Sequence, residues 1–320
     1  MSIQLNHLTH VYNEGTTFEK VALNDVTLEI QTGEFIGLIG HTGSGKSTLI
    51  QHLNGIISPS SGEILLDGEN IHKDKAKLKE VRRRIGLAFQ YPEYQLFEMT
   101  VYKDVAFGPT NLGLSAEQIH ENVVAALNIV GIDETFYEKS PFELSGGQKR
   151  RVAIAGVLAM NPEVLILDEP MVGLDPKQII EIRELIRSLG KKHTVILSSH
   201  ILSEITSICD HVMIISHGKL AASDTPENLS HYMKNSDVCE LKLRGSREAC
   251  DQARELLKRV KGLEITASAA SLEDVFLELT SSEPENDEEA KPEEERPEER
   301  KPEEEKDEEG KEGKENAGDL

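Results

Sequence analysis

A glycine-rich run of eight residues, GHTGSGKS, stands between the apolar stretch FIGLI and the helix-favouring stretch TLIQHL. It fits the pattern G-x-x-x-x-G-K-[ST], which requires a buried strand before the loop and a helix after it. The glycines allow the loop to curl, so that backbone amides and the helix N-terminus face the β- and γ-phosphates of a nucleotide. We therefore predict an α/β fold that binds ATP at this loop. The residues concerned are Gly40, His41, Thr42, Gly43, Ser44, Gly45, Lys46, Ser47 and the adjoining Thr48.

Two side chains of this loop and two carboxylates further along the chain predict the chemistry. Lys46 would supply a cation to the phosphates, and the Ser47 hydroxyl would ligate Mg²⁺. The apolar stretch VLIL ends in Asp168 and Glu169, and the carboxyl end of a parallel strand lies in the crevice where ligands bind. We expect Asp168 to hold Mg²⁺ through water. Glu169, one residue on, points differently and is expected to accept a proton from the attacking water.

The order of predicted elements indicates a parallel sheet with helices on its faces. The strands SIQLNHLTHVY and VALNDVTLEI open the chain, separated by the turn NEGTTFEK. A charged helix over 72–83 and the strand RIGLAFQ precede a mostly helical stretch over about 100–160, with breakers at Gly108-Pro109 and Ser140-Pro141. The strands VLILDE, TVILSSH and HVMIISHG then alternate with helices. This predicts a P-loop NTPase with a parallel core sheet, an N-terminal antiparallel β subdomain and a helical subdomain at about 90–160.

The segment LSGGQ, which precedes the helix KRRVAIAGVLAM, separates this chain from most P-loop proteins. With the two motifs above, it resembles the ATP-binding cassette (ABC) transporter ATPases over roughly residues 1–230. The resemblance implies an ABC-ATPase cassette that hydrolyses ATP, with a transmembrane permease supplied by other chains. It also implies that the segment covers the γ-phosphate of ATP held by a second ATPase subunit, in a homo- or heterodimer. A serine, two glycine amides and a helix N-terminus suit such an anion site. The residues are Ser145, Gly146, Gly147 and Gln148.

Four further positions match that family in order. Gln90 matches the glutamine loop that touches Mg²⁺ and the attacking water and links the catalytic site to the membrane subunit. His200 matches the switch histidine that holds the γ-phosphate, and Gly173-Leu174-Asp175 matches the loop that communicates across the dimer. Tyr12 matches the aromatic residue that stacks on adenine, a role for which Phe18 competes.

One position departs from the family pattern. Met171 stands where the family usually has Thr after Glu-Pro, so we expect the loss of a polar contact near the dimer loop and a modest effect on the rate. A non-catalytic interaction subunit is disfavoured, because Glu169, Gln90 and His200 are all present.

Two parts of the chain resemble different transporter classes. Residues 40–170 are similar to the ATPases of energy-coupling factor importers, which take up vitamins and metal ions. Residues 172–280 look more like the ATPases of ABC-2-type exporters of drugs, lipids or polysaccharides. We favour the importer, since residues 90–150 would dock the membrane partner. A soluble ABC ATPase acting on ribosomes or DNA is a third alternative, but the net charge of −22 opposes nucleic-acid binding.

Composition divides the remainder of the chain. Residues 283–320 hold 19 Asp/Glu and 7 Lys/Arg and contain no Val, Ile, Phe or Tyr, so we predict a disordered acidic tail. Residues 231–282 are predicted to form a small α+β appendage that ends in the helix SLEDVFLELT. Three cysteines without metal-ligand spacing indicate a reducing cytoplasm. No apolar run reaches 18 residues and no signal peptide is evident, which predicts a peripheral protein on the cytoplasmic face of the cell membrane.

Overall fold

The computed structural model describes residues 2–232, 246–257 and 260. Residues 1–35 contain the two predicted strands, and the next part of the chain adds two short ones that the sequence did not predict. The four strands are β1 (Ser2–Tyr12), β2 (Lys20–Gln31), β4 (Ser61–Leu66) and β5 (Glu69–Asn70). They form an antiparallel sheet in the order β2-β1-β4-β5. In β2, Leu23, Val26, Leu28 and Ile30 are buried between exposed polar residues, the alternation expected when a sheet covers a core on one side.

A second sheet of six strands forms the centre of the fold. Its members are β3 (Phe35–Ile39), β6 (Ile85–Ala88), β7 (Val164–Asp168), β8 (Thr194–Ser199), β9 (His211–Ser216) and β10 (Lys219–Asp224). The order is β10-β9-β3-β8-β7-β6. All pairs are parallel except β9 with β10. The predicted parallel core sheet is therefore confirmed, with an antiparallel edge strand in addition.

Helices cover this sheet and build a helical subdomain. In chain order they are α1 (Lys46–Leu53), α2 (Lys75–Arg84), α3 (Val101–Asn111), α4 (Ala116–Ile129), α5 (Gly146–Leu158), α6 (Pro176–Leu189), α7 (Leu202–Thr206), α8 (Pro226–Tyr232) and α9 (Arg247–Leu257). The predicted break at Gly108-Pro109 is wrong, because α3 continues through both residues. Pro109 has no N–H to donate to the carbonyl of Val105, so α3 lacks that hydrogen bond, and the helix ends two residues later at Asn111. The break at Ser140-Pro141 is present, as a short 3-10 helix over Pro141–Glu143.

Two apolar clusters place the P-loop between the sheets. One joins the antiparallel sheet to α1 and one face of the central sheet, with Leu5, Ile36 and Leu49 among its buried members. The other joins the opposite face to the helical subdomain, with Val105, Val152 and Leu197 among its members. The loop over residues 40–45 joins β3 to α1. Because both elements pack into the first cluster, the two ends of this loop are fixed.

Parts of the predicted C-terminal organisation lie outside the described residues. Of the appendage at 231–282, the structure describes α9, while the helix predicted at SLEDVFLELT and the tail at 283–320 are outside it. Within the described ranges, no helix is both long and apolar enough to span a membrane.

Candidate nucleotide-binding site

Backbone geometry that favours glycine shapes the loop between β3 and α1. Gly43 and Gly45 have φ angles of 81° and 112°, a region that other residues rarely adopt. A Cβ atom on Gly45 would also lie 2.6 Å from the backbone oxygen of Ala22. The positions of these glycines in the motif therefore follow from the path of the loop itself.

The ammonium group of Lys46 lies at the centre of this loop. Lys46 is buried, and its Nζ donates a hydrogen bond of 2.6 Å to the carbonyl oxygen of Gly40. The same atom lies 3.6 Å from Glu169 Oε1. A phosphate is a stronger acceptor for an ammonium group than a carbonyl is. A bound nucleotide would therefore replace the Gly40 carbonyl as the hydrogen-bond acceptor of Lys46.

Asp168 and Glu169 are held by Ser198, a residue that the sequence did not single out. The Ser198 hydroxyl donates to Asp168 Oδ1 at 2.5 Å and accepts from the Glu169 amide at 2.9 Å. Burial raises the pKa of the Asp168 carboxyl, while hydrogen bonds from Ser198 and Ser47 oppose this rise. Ser198 is adjacent to Asp168 because β7 and β8 pair in parallel, with these two residues in register.

The two carboxylate oxygens of Glu169 face different partners. Oε1 faces Lys46, while Oε2 lies 2.8 Å from Nδ1 of His200. Glu169 is buried and adopts a left-handed φ of 50°, and its partners Lys46 and His200 differ from the Ser198 hydroxyl that bonds to Asp168. Such strained backbone is concentrated at functional sites. The expectation that the two acids point differently thus agrees with the geometry.

Ten of the predicted site residues line one cavity of about 250 Å³. Tyr12 is at its edge, with its hydroxyl 3.4 Å from Thr48 Oγ1, whereas Phe18 is 80% exposed and does not line it. Gln90 and His200 lie at the same cavity, although they are distant in sequence. The lining residues are Tyr12, Lys20, Ala22, Thr42, Gly43, Gly45, Lys46, Ser47, Thr48, Gln90, Glu169 and His200. Gly40, His41, Ser44 and Asp168 were also predicted as site residues but do not line this cavity.

The segment Ser145–Gln148 does not line this cavity either. Ser145 caps α5 by accepting from the Gln148 amide, and the Gln148 side chain accepts from the Ser145 amide. This capping box satisfies two backbone donors, while exposed Gly146 leaves the helix N-terminus accessible. That this segment serves a nucleotide held by a second subunit stays a prediction.

Two residues near His200, Ser199 and Glu204, were not predicted from the sequence. Ser199 Oγ donates to Glu204 Oε2 at 2.7 Å and accepts from the Ile201 amide, which fixes the turn that carries His200. The serine pair that ends the buried stretch TVILSS was the available signal, since polar side chains at the end of a buried strand need partners.

The oxygen donors of the site fit a magnesium ion. Mg²⁺ prefers hard oxygen ligands and is bound through one or two protein groups together with substrate phosphates and water. Ser47 and Gln90 line the cavity, and the buried Asp168 carboxylate is hydrogen-bonded to Ser47. A cation at this position would also offset the cost of keeping Asp168 ionised.

Comparisons with known proteins identify the class that this fold and site define. A family model described as "ABC transporter" matches residues 23–172. The solved structure of cbiO1 from Clostridium perfringens, part of the ABC transporter complex cbiONQ, is 39% identical. It aligns with a TM-score of 0.66, over 73% of this chain and 92% of that one. A dimeric ATP-binding cassette, MJ0796, bound to ADP and phosphate is 29% identical with a TM-score of 0.62, over 70% and 98%. The chain is an ATPase of the ABC class, whose members bind ATP.

Curated relatives define the particular family. An energy-coupling factor transporter ATP-binding protein, EcfA2, from Clostridioides difficile is 51% identical over 87% of this chain and 96% of its own length. EcfA2 from Clostridium perfringens is 55% identical over 69% and 78%. The chain belongs to the family of energy-coupling factor transporter ATP-binding proteins. An alignment over 87% of the chain must include most of residues 172–280, so the exporter-like features there occur within this family.

Proposed function

We propose that the chain is one of two ATPase subunits that drive uptake of a vitamin or metal ion through a membrane permease. One observation carries the proposal: Lys46, Gln90, Glu169 and His200 meet at one cavity, while the segment Ser145–Gln148 does not line it. A catalytic set and an anion-binding segment that lie apart in one chain require a second chain to complete the site. The dimeric cassette among the structural relatives supports this arrangement.

Hydrolysis would use the residues of the cavity as follows. Phosphates of ATP draw Lys46 away from the Gly40 carbonyl, because a charge-assisted hydrogen bond is the stronger one. This relieves the contact between Lys46 and Glu169, whose Oε1 then accepts a proton from water. His200 holds Oε2 and so orients the carboxylate.

Magnesium, held by Ser47, Gln90 and Asp168, would neutralise charge that develops on the transferred phosphoryl group.

A second cavity, of about 820 Å³, suits the membrane partner. It runs between α2, α3 and α5, with apolar side chains such as Leu87, Phe97 and Phe107 in its lining. Phe97 and Phe107 pack edge to face, with ring centroids 4.9 Å apart, and both remain about half exposed. Its lining also includes four basic side chains of α2, Lys75, Lys79, Arg82 and Arg83, so the groove suits a helix with an apolar face and polar or acidic flanks. We assign it to a cytoplasmic helix of the permease, and this assignment supports the proposal that the chain works at the inner membrane surface.

The catalytic part of the proposal is tested by Glu169→Gln. We expect ATP turnover by this variant to be lost, while size-exclusion chromatography with ATP shows dimers that persist. Glu184→Gln, on the exposed side of α6, is the matched control and should hydrolyse ATP at the parental rate. Parental turnover by the Glu169 variant would refute the assignment of the general base.

The partner and direction are tested separately. A tagged chain should co-purify with a polytopic membrane protein, and Phe107→Asp should weaken that association without changing the amount of folded chain. Cells that lack the chain should lose uptake of a vitamin or transition metal. Recovery of ribosomes or DNA alone, or loss of export with normal uptake, would contradict the proposal.

A further inference from the structure

The guanidinium group of Arg150 is completely buried and joins three segments of the fold. Arg150 lies in the second turn of α5 and has no exposed surface. It binds Glu93 through two hydrogen bonds, from Nε at 3.0 Å and from Nη2 at 2.7 Å. Its Nη1 donates to the carbonyl oxygens of Pro170 and Val172, both at 2.8 Å. The ring of Tyr91 lies 5.9 Å from the guanidinium carbon.

The partners of Arg150 lie next to the residues proposed to act on ATP. Glu93 is three residues after Gln90, on a short 3-10 helix over Pro92–Gln95. The carbonyl of Pro170 directly follows Glu169, and that of Val172 precedes the loop Gly173-Leu174-Asp175. Arg150 itself is carried by the helix that begins at the segment Ser145–Gln148. One side chain therefore bonds the glutamine loop, the segment after the general base and the helix that would face the second nucleotide.

The hydrogen bonds of Arg150 resist small displacements of the segments that they join. A buried charge that loses its partner is strongly disfavoured, and the planar guanidinium matches a carboxylate and two carbonyls only in a narrow geometry. On the opposite side, the Glu169 amide is held by Ser198. The short segment from Glu169 to Val172 is thus clamped between β8 and Arg150.

We propose that Arg150 is a positioning residue that makes three parts of the fold move as one unit: the glutamine loop, the Glu169 segment, and helix α5, which begins at the segment Ser145–Gln148. Arg150 does not line the nucleotide cavity, so it acts through Glu93 and the two carbonyls and not on ATP. The inference rests on the proposed roles of Gln90 and Glu169. When the permease moves the glutamine loop, this linkage would shift the position of Glu169 in the same subunit. It would also shift the segment Ser145–Gln148, which would face the nucleotide of the other subunit.

The test is steady-state ATP hydrolysis by the full-length chain in its purified complex. Arg150→Gln and Arg150→Lys should lower kcat by about 10-fold or more, with KM for ATP changed by less than about 3-fold, because the cavity lining is intact. Lysine should not rescue, since a point charge cannot serve all three acceptors. Arg151→Gln is the matched control: Arg151 adjoins Arg150 on α5 but is partly exposed, and it pairs with Glu181 on α6 and with the Val130 carbonyl, away from the glutamine loop and the Glu169 segment. Its kcat should stay within about 2-fold of the parent.

Glu93→Gln separates positioning from simple stabilisation. It leaves both carbonyl bonds of Arg150 in place, so it is measurable even where Arg150 variants fail to fold. We expect kcat to fall, and the double variant with Arg150→Gln to be no slower than Arg150→Gln alone, because both changes break one linkage. A kcat equal to that of Arg151→Gln, with only a lower Tm, would overturn the inference. The inference would also be overturned if the loss of kcat in the double variant equalled the product of the losses in the two single variants.

The same assay on Glu169→Gln separates the proposed catalytic set from the proposed positioning role of Arg150. Parental turnover in that variant would refute the proposed catalytic set. Loss of turnover there, together with normal kcat in the Arg150 and Glu93 variants, would refute only the positioning role.

Discussion

The buried histidine on the P-loop helix should make the stability of this protein depend on pH. His52 has no exposed surface, and its Nδ1 lies 2.7 Å from the carbonyl oxygen of Thr48. Its ring packs edge-on against His10, with centroids 4.7 Å apart. Burial is the main cause that lowers the pKa of His52 from 6.5 to about 4, and the neighbouring His10 and His72 lower it further against opposing hydrogen bonds.

The sign and size of the effect follow from proton binding. Between pH 6.5 and pH 4 the unfolded chain binds a proton that the folded protein excludes, so stability is fully present above pH 6.5 and falls as the pH falls towards 4. With pKa values of 6.5 unfolded and about 4 folded, the free energy of unfolding should fall by about 2 kcal/mol between pH 7 and pH 5. This is a substantial part of the ~5–15 kcal/mol typical of a folded domain.

The assay is guanidinium unfolding at pH 7 and pH 5 for the parent and for His52→Asn. The asparagine amide can still donate to the Thr48 carbonyl but does not titrate, so the loss of stability on acidification should be smaller by about 2 kcal/mol in the variant. His7→Asn is the control for the same replacement at an exposed site, since His7 is 80% exposed, and it should lose more stability on acidification than the His52 variant. The same fall in stability in the His52 variant and the parent would refute the reasoning.

Three further predictions concern the site and the core. Ser198→Ala should lower kcat by about 10-fold and raise the Mg²⁺ concentration needed for half-maximal ATP hydrolysis, since Asp168 and Glu169 each lose a hydrogen bond; an unchanged Mg²⁺ titration would contradict this. Gly45→Ala should weaken binding of a fluorescent ATP analogue by about 5- to 150-fold, because the φ of 112° strains a side chain by about 1–3 kcal/mol. Burial raises the pKa of Cys209 to about 12, so iodoacetamide at pH 8 should label it only after unfolding, as measured by mass spectrometry.

Several differences between prediction and structure have a common cause. The strands β5 and β10 lie at sheet edges, β5 has two residues and β10 has no fully buried residue, while β4 opens with the exposed pair Ser61-Gly62. Their apolar pattern is therefore weak, and pairing with neighbouring strands decides their conformation. Pro109 was read as a break from local propensity alone, whereas packing of α3 keeps the helix intact up to Asn111.

Met171 shows a limit of comparison with a family pattern. The expectation of a lost polar contact considered only the residue type. In the structure Met171 is buried, and the carbonyls on either side of it accept hydrogen bonds from Arg150. The backbone of this segment is thus held by a side chain that lies 20 residues earlier in the chain.

The amino-acid sequence by itself determined the nucleotide chemistry. Glycines, a lysine and a serine that are adjacent in the chain form the loop, and two acids follow directly from one strand, so covalent order fixes the groups within each of these two segments, while the sheet order β3-β8-β7 brings the segments together. Only the tertiary structure decided which residues hold them. Ser198 reaches Asp168 through strand pairing, and Arg150 reaches Glu93 across 57 residues. Such contacts depend on how the sheet and the helices pack, because residues distant in the chain become neighbours only when their elements share a core.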